Sequence, residues 1–442
     1  MKAAALLACA GVALSLGVVA PFAGSGASLA APREFRTGDS PLSVVAGDLN
    51  GDGKVDLATA DYFVNKVSVL LNNGDGSFRR RSDYPTGPDP YAVSTRDLNG
   101  DGKPDLVTAN DDSNTVSVLF NRGDGTFGAR VDYAAAKTPE ALAIGDVNGD
   151  DKPDLVVGNA DANSFSVYPN KGDGTFGARQ DHPTGLTPLG LAIRDLNGDG
   201  KPDVVTADGD SDTVSVFFGD GAGGFAARTA YLTGTGPGWV AIGDLNGDGK
   251  PDLATANTSV ESISVLLNKG DGRFAESVDY ETGVGGPPFE IAMADLNGDG
   301  RADLVTPNFD SGTVSVLSNP GDGTFEARRD YRAGEGAVSL AIADLNGDRK
   351  PDLATANEEG NSVSVLLNSA GRCGVPNLEG QRLRAAKKAI ALGNCRLGKV
   401  GSAYSNTVEK GRVISQKPAF GAVRPKGTKI DLVLSRGRGR KR

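Results

Sequence analysis

The chain has 442 residues, 38% of them hydrophobic and 23% charged, with a formal net charge of −10, one His and three Cys. A single His argues against both a zinc centre and a hydrolytic triad. The charge is unevenly placed: residues 372–442 carry 18 Lys+Arg against 3 Asp+Glu, and the remainder carries 28 against 53. This split implies two domains with different partners.

Residues 1–30, MKAAALLACAGVALSLGVVAPFAGSGASLA, place one early cation, Lys2, before an apolar run that ends in small residues around Ser28 and Ala30. The pattern predicts a secretory signal peptide cut after Ala30. Leu6-Leu7-Ala8-Cys9 loosely fits a lipobox, but it sits too early and the apolar run continues past it. No other stretch is long and apolar enough to span a membrane, so a soluble, exported mature chain is expected.

From residue 31 to 370 a ten-residue string dominates. It starts at Asp48, Asp97, Asp146, Asp195, Asp244, Asp295 and Asp344, at spacings of 49, 49, 49, 49, 51 and 49. A period of that size suits a four-stranded propeller blade. In the second repeat PYAVSTRD, DLVTAN, TVSVLFN and FGARVDYA are short β-branched runs bounded by Gly, Asn or Asp, with no helical period. The expected fold class is all-β, a seven-bladed propeller with a small α+β domain after it. The seventh repeat stops one strand short, at SVLLNSAGRC, and PREFRTGDSPLSV aligns with ARQDHPTGLTPLGL. Pro32 to Thr37 is therefore predicted to supply the outer strand of the last blade.

Within the string DLNGDGKPDL, oxygen-bearing side chains stand at positions 1, 3, 5 and 9, and Gly at 6 permits a sharp turn. Several hard, charged oxygen donors around one tight loop suit Ca²⁺. An EF-hand is excluded by the flanking strands and by Thr108 at position 12 of the second repeat. The DxNGDGxxD loops, NxGDGxF turns and FGAR strands resemble FG-GAP/VCBS repeats, as in the propeller of integrin α-subunits. That resemblance implies calcium ligands at Asp48, Asn50, Asp52 and Asp56; Asp97, Asn99, Asp101 and Asp105; Asp146, Asn148, Asp150 and Asp154; and Asp195, Asn197, Asp199 and Asp203. It also implies Asp244, Asn246, Asp248 and Asp252; Asp295, Asn297, Asp299 and Asp303; and Asp344, Asn346, Asp348 and Asp352. The ions are expected to hold hairpins together. Asp151 and Arg349 replace the Gly at position 6, and the Arg makes the seventh site the weakest expected.

Four other features receive bland readings. His182 stands where other repeats place Tyr84, Tyr133, Tyr280 and Tyr331, and is read as a surface-strand substitution. Arg122-Gly123-Asp124 and the Gly219, Gly221, Gly224 trio are variants of the repeat's turn, not an adhesion motif or a dinucleotide loop. Trp239 is read as rim or core packing rather than a sugar platform.

After residue 371 the pattern changes. VPNLEGQRLRAAKKAIALGNC predicts a helix with Leu383, Ala386, Ala389 and Ile390 on its apolar face and Gly393 at its stop. RLGKVGSAYS, GRVISQKPAFGAVRPKGT and KIDLVLSRG predict strands. The V-P-N-L start, the ISQ-P-G turn region and the closing DLVLS resemble a PASTA domain over 371–436, followed by a basic tail at 437–442. Two nearby cysteines in an exported chain, Cys373 and Cys395, predict one disulfide. The expected protein is a non-enzymatic, calcium-binding surface or cell-wall protein. Its module would contact peptidoglycan or an anionic wall polymer, and its propeller a glycan or protein. Nucleic acid is not expected as a partner. A propeller-based polysaccharide lyase or hydrolase, or a structural spacer, is the alternative.

Overall fold

A computed structural model describes residues 27–282, 286–369, 372–393, 395–425 and 427–438. Residues 1–26, most of the expected signal peptide, and 439–442 of the tail lie outside the described residues.

Short β-branched runs separated by Gly and Asp turns can only form narrow antiparallel sheets. The described residues form seven such four-stranded sheets. In the first, β2 (Pro41–Gly47), β3 (Asp56–Asp61), β4 (Lys66–Leu70) and β5 (Ser82–Pro85) lie side by side in chain order. The second repeats this as β6 (Pro90–Arg96), β7 (Asp105–Asn110), β8 (Thr115–Leu119) and β9 (Val131–Ala134). The first strand of each sheet packs against the first strand of the next, and that of the seventh packs back on β2, which closes a ring. The chain is thus an all-β propeller.

Burial follows from this stacking. Every residue of β3 and β7 is buried, because blades cover both faces of the second strand. In six blades the fourth strand exposes all but its third residue, a Tyr in five of them and His182 in the other. That ring clasps the Phe of the next blade's turn: Tyr84 on Phe127, Tyr133 on Phe176 and Tyr231 on Phe274, with centroids 5.1–5.3 Å apart and edges to faces. The fourth strand is shorter than FGARVDYA suggested, starting only at Val131, because Phe127 leaves the ladder to make this contact.

His182 occupies the same clasp. It stacks on Phe165 at 4.8 Å and meets Phe225 edge-on at 5.1 Å, so it is a wedge between blades and not a surface substitution. Burial lowers its pKa, and its Nε2 has no hydrogen-bond partner.

The last blade is assembled from both ends of the repeat region. β1 (Arg33–Arg36) pairs antiparallel with β28 (Ser362–Leu366), and Phe35 clasps Phe78 at 5.1 Å as Tyr84 clasps Phe127. Upstream of β1, Leu29 bridges Asn368, the place of Phe127 opposite Asn121. Ala27 and Ala30 are buried, and the Ala30 N–H donates to the Leu367 carbonyl at 2.8 Å. A cut after Ala30 would remove Ala27 to Ala30 from this packed seam.

The second unit is small and mixed. Helix α1 (Leu383–Leu392) buries Ala386 and Ile390 against Val375, Val413, Ile430 and Leu432. The Gly393 N–H caps it by donating to Ala389. A parallel pair, β30 (Arg396–Ala403) with β33 (Lys429–Ser435), is extended antiparallel by β31 (Val413–Lys417). β29 (Arg372–Gly374) pairs with β32 (Val423–Pro425). Cys395 is buried; the Cys373 side chain lies outside the described residues.

Candidate functional site

Seven acidic loops join the first and second strands of the blades, all at one end of the ring. In the second loop the Asp97 carboxylate accepts N–H groups from Gly100 at 2.8 Å and Gly102 at 2.7 Å. Asn99 accepts from Asp101 N–H, and Asp101 from Lys103 N–H, both at 3.0 Å. These short side-chain-to-backbone bonds are why Asp and Asn recur at odd positions. Position 6 adopts a left-handed backbone in all seven loops, at φ 62° for Asp151 and 64° for Arg349 as well as at the five glycines. The loop geometry therefore survives the two departures from Gly.

Position 9 behaves differently from the rest. Asp56, Asp105, Asp154, Asp203, Asp252, Asp303 and Asp352 are fully buried, whereas positions 1, 3 and 5 face solvent in part. Asp105 accepts the Leu98 N–H at 3.0 Å and the Asn121 N–H at 2.8 Å, which ties the loop to the following turn. Burial raises its pKa to about 6; the two N–H donors oppose the rise, and Asp101 and Asp97 add to it. The same balance puts Asp56 and Asp303 at about 6 and Asp352 at about 7. In the third, sixth and seventh loops the position-3 amide reaches position 9: Asn148 to Asp154 at 3.2 Å, Asn297 to Asp303 at 3.5 Å and Asn346 to Asp352 at 2.8 Å.

The loops thus bring their four expected residues into one turn. They also close on themselves. The Lys at position 7 pairs with the Asp at 5: Lys54 with Asp52 at 3.0 Å, and Lys103 with Asp101 at 3.1 Å. Among the described residues no three His, Cys, Asp or Glu side chains gather as a metal-binding group. The donor chemistry nonetheless fits a hard cation. Each carboxylate offers about four acceptor sites, of which these bonds occupy only some. The mutual push of positions 1, 5 and 9 is also what a cation between them would relieve.

A residue with a structural part escaped the sequence reading. The Asn that opens each NxGDG turn reaches across to the preceding blade. Asn121 Nδ2 donates to the Leu49 carbonyl at 2.9 Å and to Pro104 at 2.8 Å, while its Oδ1 accepts the Gly123 N–H at 2.7 Å. Asn170, Asn268, Asn319 and Asn368 make the same tie to Leu98, Leu196, Leu245 and Leu296, and Asn72 ties to Leu345 across the closed ring. Its signal was present as a recurrent Asn, but it read as turn chemistry. Gly123 is held in that turn, so Arg122-Gly123-Asp124 is the repeat's own hairpin.

Just ahead of the sixth blade's first strand an acid, Glu290, stands where blades one and seven carry Ser43 and Ser339. Its Oε2 accepts the Leu340 N–H at 3.0 Å, the task that Ser43 and Ser339 perform for Val93 and Val44 at 3.2 and 3.1 Å. Burial raises its pKa to about 7. Its geometry is that of a strand-to-strand tie. Trp239 is partly buried against the cluster that holds Leu245, Ala256 and Ile263, which is packing.

A family model described as FG-GAP-like repeat matches residues 48–108, 97–157, 146–206, 195–255, 244–306 and 307–355. A PASTA domain model matches 374–436. A probable serine/threonine-protein kinase of Clostridium acetobutylicum is 44% identical over 63 residues, which is 14% of this chain and 10% of the kinase. The chain therefore spans only a tenth of the kinase's length. Among solved structures, BBS1N in complex with ARL6DN shares 12% identity over 77% of this chain and 97% of that one, with a TM-score of 0.55. An Agrocybe aegerita lectin, described as recognising non-reducing terminal N-acetylglucosamine, shares 20% identity over 72% and 86%, with a TM-score of 0.48. At such identities the likeness extends to fold alone.

Proposed function

We propose, from the premise that the chain belongs to the FG-GAP-like repeat family and carries a PASTA domain, that it is an exported, non-enzymatic binding protein of the cell surface or wall. The observation that carries this is the pairing of two binding modules of opposite charge in one chain. The module contacts peptidoglycan, and the propeller presents a ring of loops to a glycan or a protein. Those loops, DYFVNK, DDSNT, DGDSDT and NTSVES, join the second and third strands at the end of the ring away from the acidic hairpins. They carry exposed apolar side chains such as Phe63 and Val260, which suits contact with a partner.

Calcium is part of the same proposal. Positions 1, 3, 5 and 9 of each loop would hold the ion, and the ion would neutralise the carboxylates and stiffen the hairpin. The seventh loop, around Asp344, is the weakest. A Cys373–Cys395 bridge would brace the small module, whose core is limited.

Co-sedimentation with purified peptidoglycan tests the reading. The full chain is compared with a chain ending at Asn368, each with Ca²⁺ and with chelator, at low and moderate salt. Sedimentation of the full chain alone, persisting at moderate salt, is expected. Loss of binding at moderate salt would reduce it to the basic charge of the module. Equal sedimentation of both chains would overturn the module's role.

A further inference from the structure

A cavity of about 790 Å³ lies at the seam where the last blade meets the first. One wall is β1, with Glu34, Phe35 and Arg36; the other is the segment Arg79-Arg80-Arg81 that leads into β5. The size falls within that of ordinary ligand sites.

The arginines there are not all repeat residues. Arg81 matches Arg130, Arg179 and Arg328, and like them it pairs with the outer-strand Asp: Arg81 with Asp83 at 3.0 Å and Arg130 with Asp132 at 2.9 Å. Arg79 and Arg80 stand where the second and third blades have Gly128-Ala129 and Gly177-Ala178. Both are exposed, as is Arg36 on the facing wall. Among the described residues no ion pair engages Arg36 or Arg80, and Arg79 acts only as a long-range partner of Asp52. The seam thus sets guanidinium groups on both sides of a groove, in a ring that is otherwise strongly acidic. The net charge of such a ring repels polyanions, and a pair of basic walls is where one could be held. The basic module also meets this seam: the Arg33 guanidinium donates to the Gly421 carbonyl at 2.8 Å and to Asp75 at 3.2 Å.

We infer that this groove is a binding site for an extended anionic polymer, with its carboxylates or phosphodiesters gripped by Arg36, Arg79 and Arg80. A planar guanidinium engages carboxylate and phosphate with two parallel bonds. Groups on both walls suit a chain laid along the groove better than a single small anion. The site is separate from the peptidoglycan contact proposed for the module and does not depend on it.

Hydrogen exchange of the full chain tests this with three probes: polygalacturonate, a glycerol-phosphate polymer, and neutral dextran. Peptides covering 33–37 and 78–82 are expected to gain protection with one or both polyanions and none with dextran; which polyanion protects them identifies the charged group. The triple variant Arg36→Gln, Arg79→Gln, Arg80→Gln is expected to lose that protection and to bind roughly tenfold more weakly at this site, the equivalent of one charge-assisted contact. Protection of the module's 382–400 peptides is expected to persist. Arg130→Gln, an exposed arginine of the second blade, is expected to change nothing. Protection confined to the module, protection by dextran, or unchanged 33–37 protection in the triple variant would overturn the inference.

Discussion

Blade two and blade seven perform the same construction with different material. Blade two draws its four strands from one continuous stretch, and its Phe127 and Asn121 come from one turn. Blade seven takes three strands from residues 337–366 and its fourth from β1, and Leu29 stands in for the Phe opposite Asn368. Register is kept across the break: Phe35 faces Val363 as Tyr133 faces Val116. A blade is therefore defined by the contacts its strands make with neighbouring blades, and chain continuity is dispensable. The gain is that a ring cannot open without breaking a sheet.

The largest expected effect comes from removing the borrowed material. A chain starting at Gly38 lacks β1, Leu29 and the Phe35–Phe78 clasp, and exposes the β28 edge. A loss of about 5 kcal/mol or more is expected, on the scale of deleting core side chains. A chain starting at Ala31 keeps β1 but loses Ala27 and Ala30, and is expected to fall between that and the chain starting at Ala27. Urea unfolding of the three chains measures this; equal midpoints would mean that the seam is ornamental.

The next effect is electrostatic. Under the loop that joins strands two and three, blades two and seven place a neutral amide, Asn110 or Asn357, bonded to Thr108 or Thr355. Blade one places Asp61 there, fully buried, accepting from Thr59 at 2.7 Å. Burial raises its pKa from 3.8 to about 6, against the opposing bonds from Ser68, Thr59 and Gly38. The folded chain then holds the proton more tightly than the unfolded one. This stabilisation is complete below pH 3.8 and is lost as pH rises through about 6. Asp61→Asn is expected to be more stable than the wild type at pH 8, by up to about 3 kcal/mol, with the difference shrinking toward pH 4. A pH-independent difference would show that Asp61 ionises freely.

A smaller effect tests whether the seam blade is tied as firmly as the others. Asn121→Ala and Asn368→Ala each remove donors to the preceding blade, and each is expected to cost about 2 kcal/mol. A much smaller cost at Asn368 would mark blade seven as the weak point of the ring. The smallest effect is expected at Arg349, a residue with a Cβ in the left-handed region at φ 64°. Arg349→Gly is expected to gain about 1 kcal/mol and to increase the rise in melting temperature on adding Ca²⁺. Thermal melts with Ca²⁺ and with chelator check both; a loss of stability would mean that the Arg side chain is itself a tie.

Much of this architecture was legible in order of locality. The seven starts from Asp48 to Asp344 revealed the blade count, and the incomplete seventh repeat pointed to Pro32 to Thr37 as the closing strand, of which Arg33–Arg36 form it. The Asp, Asn and Gly positions of each loop were read correctly as one tight turn. His182 was misread, because its outward-facing strand gave no sign that Phe225 of the next blade lies over it. The Asn121 tie was invisible because its acceptor, Leu49, is a carbonyl 72 residues away. Arg36 lies more than forty residues from Arg79 and Arg80, so only the closed ring, which brings β1 beside the first blade, places them together.

The sequence by itself determined the repeat, the turn chemistry and the change of domain near residue 371, because each follows from side chains within a few bonds of one another. Only the tertiary structure decided which aromatic clasps which blade, that Leu29 replaces a Phe, and that three arginines share one groove. Those contacts join residues tens to hundreds of positions apart. Their cost is loop-closure entropy and their return is burial between blades, neither of which leaves a local pattern in the chain.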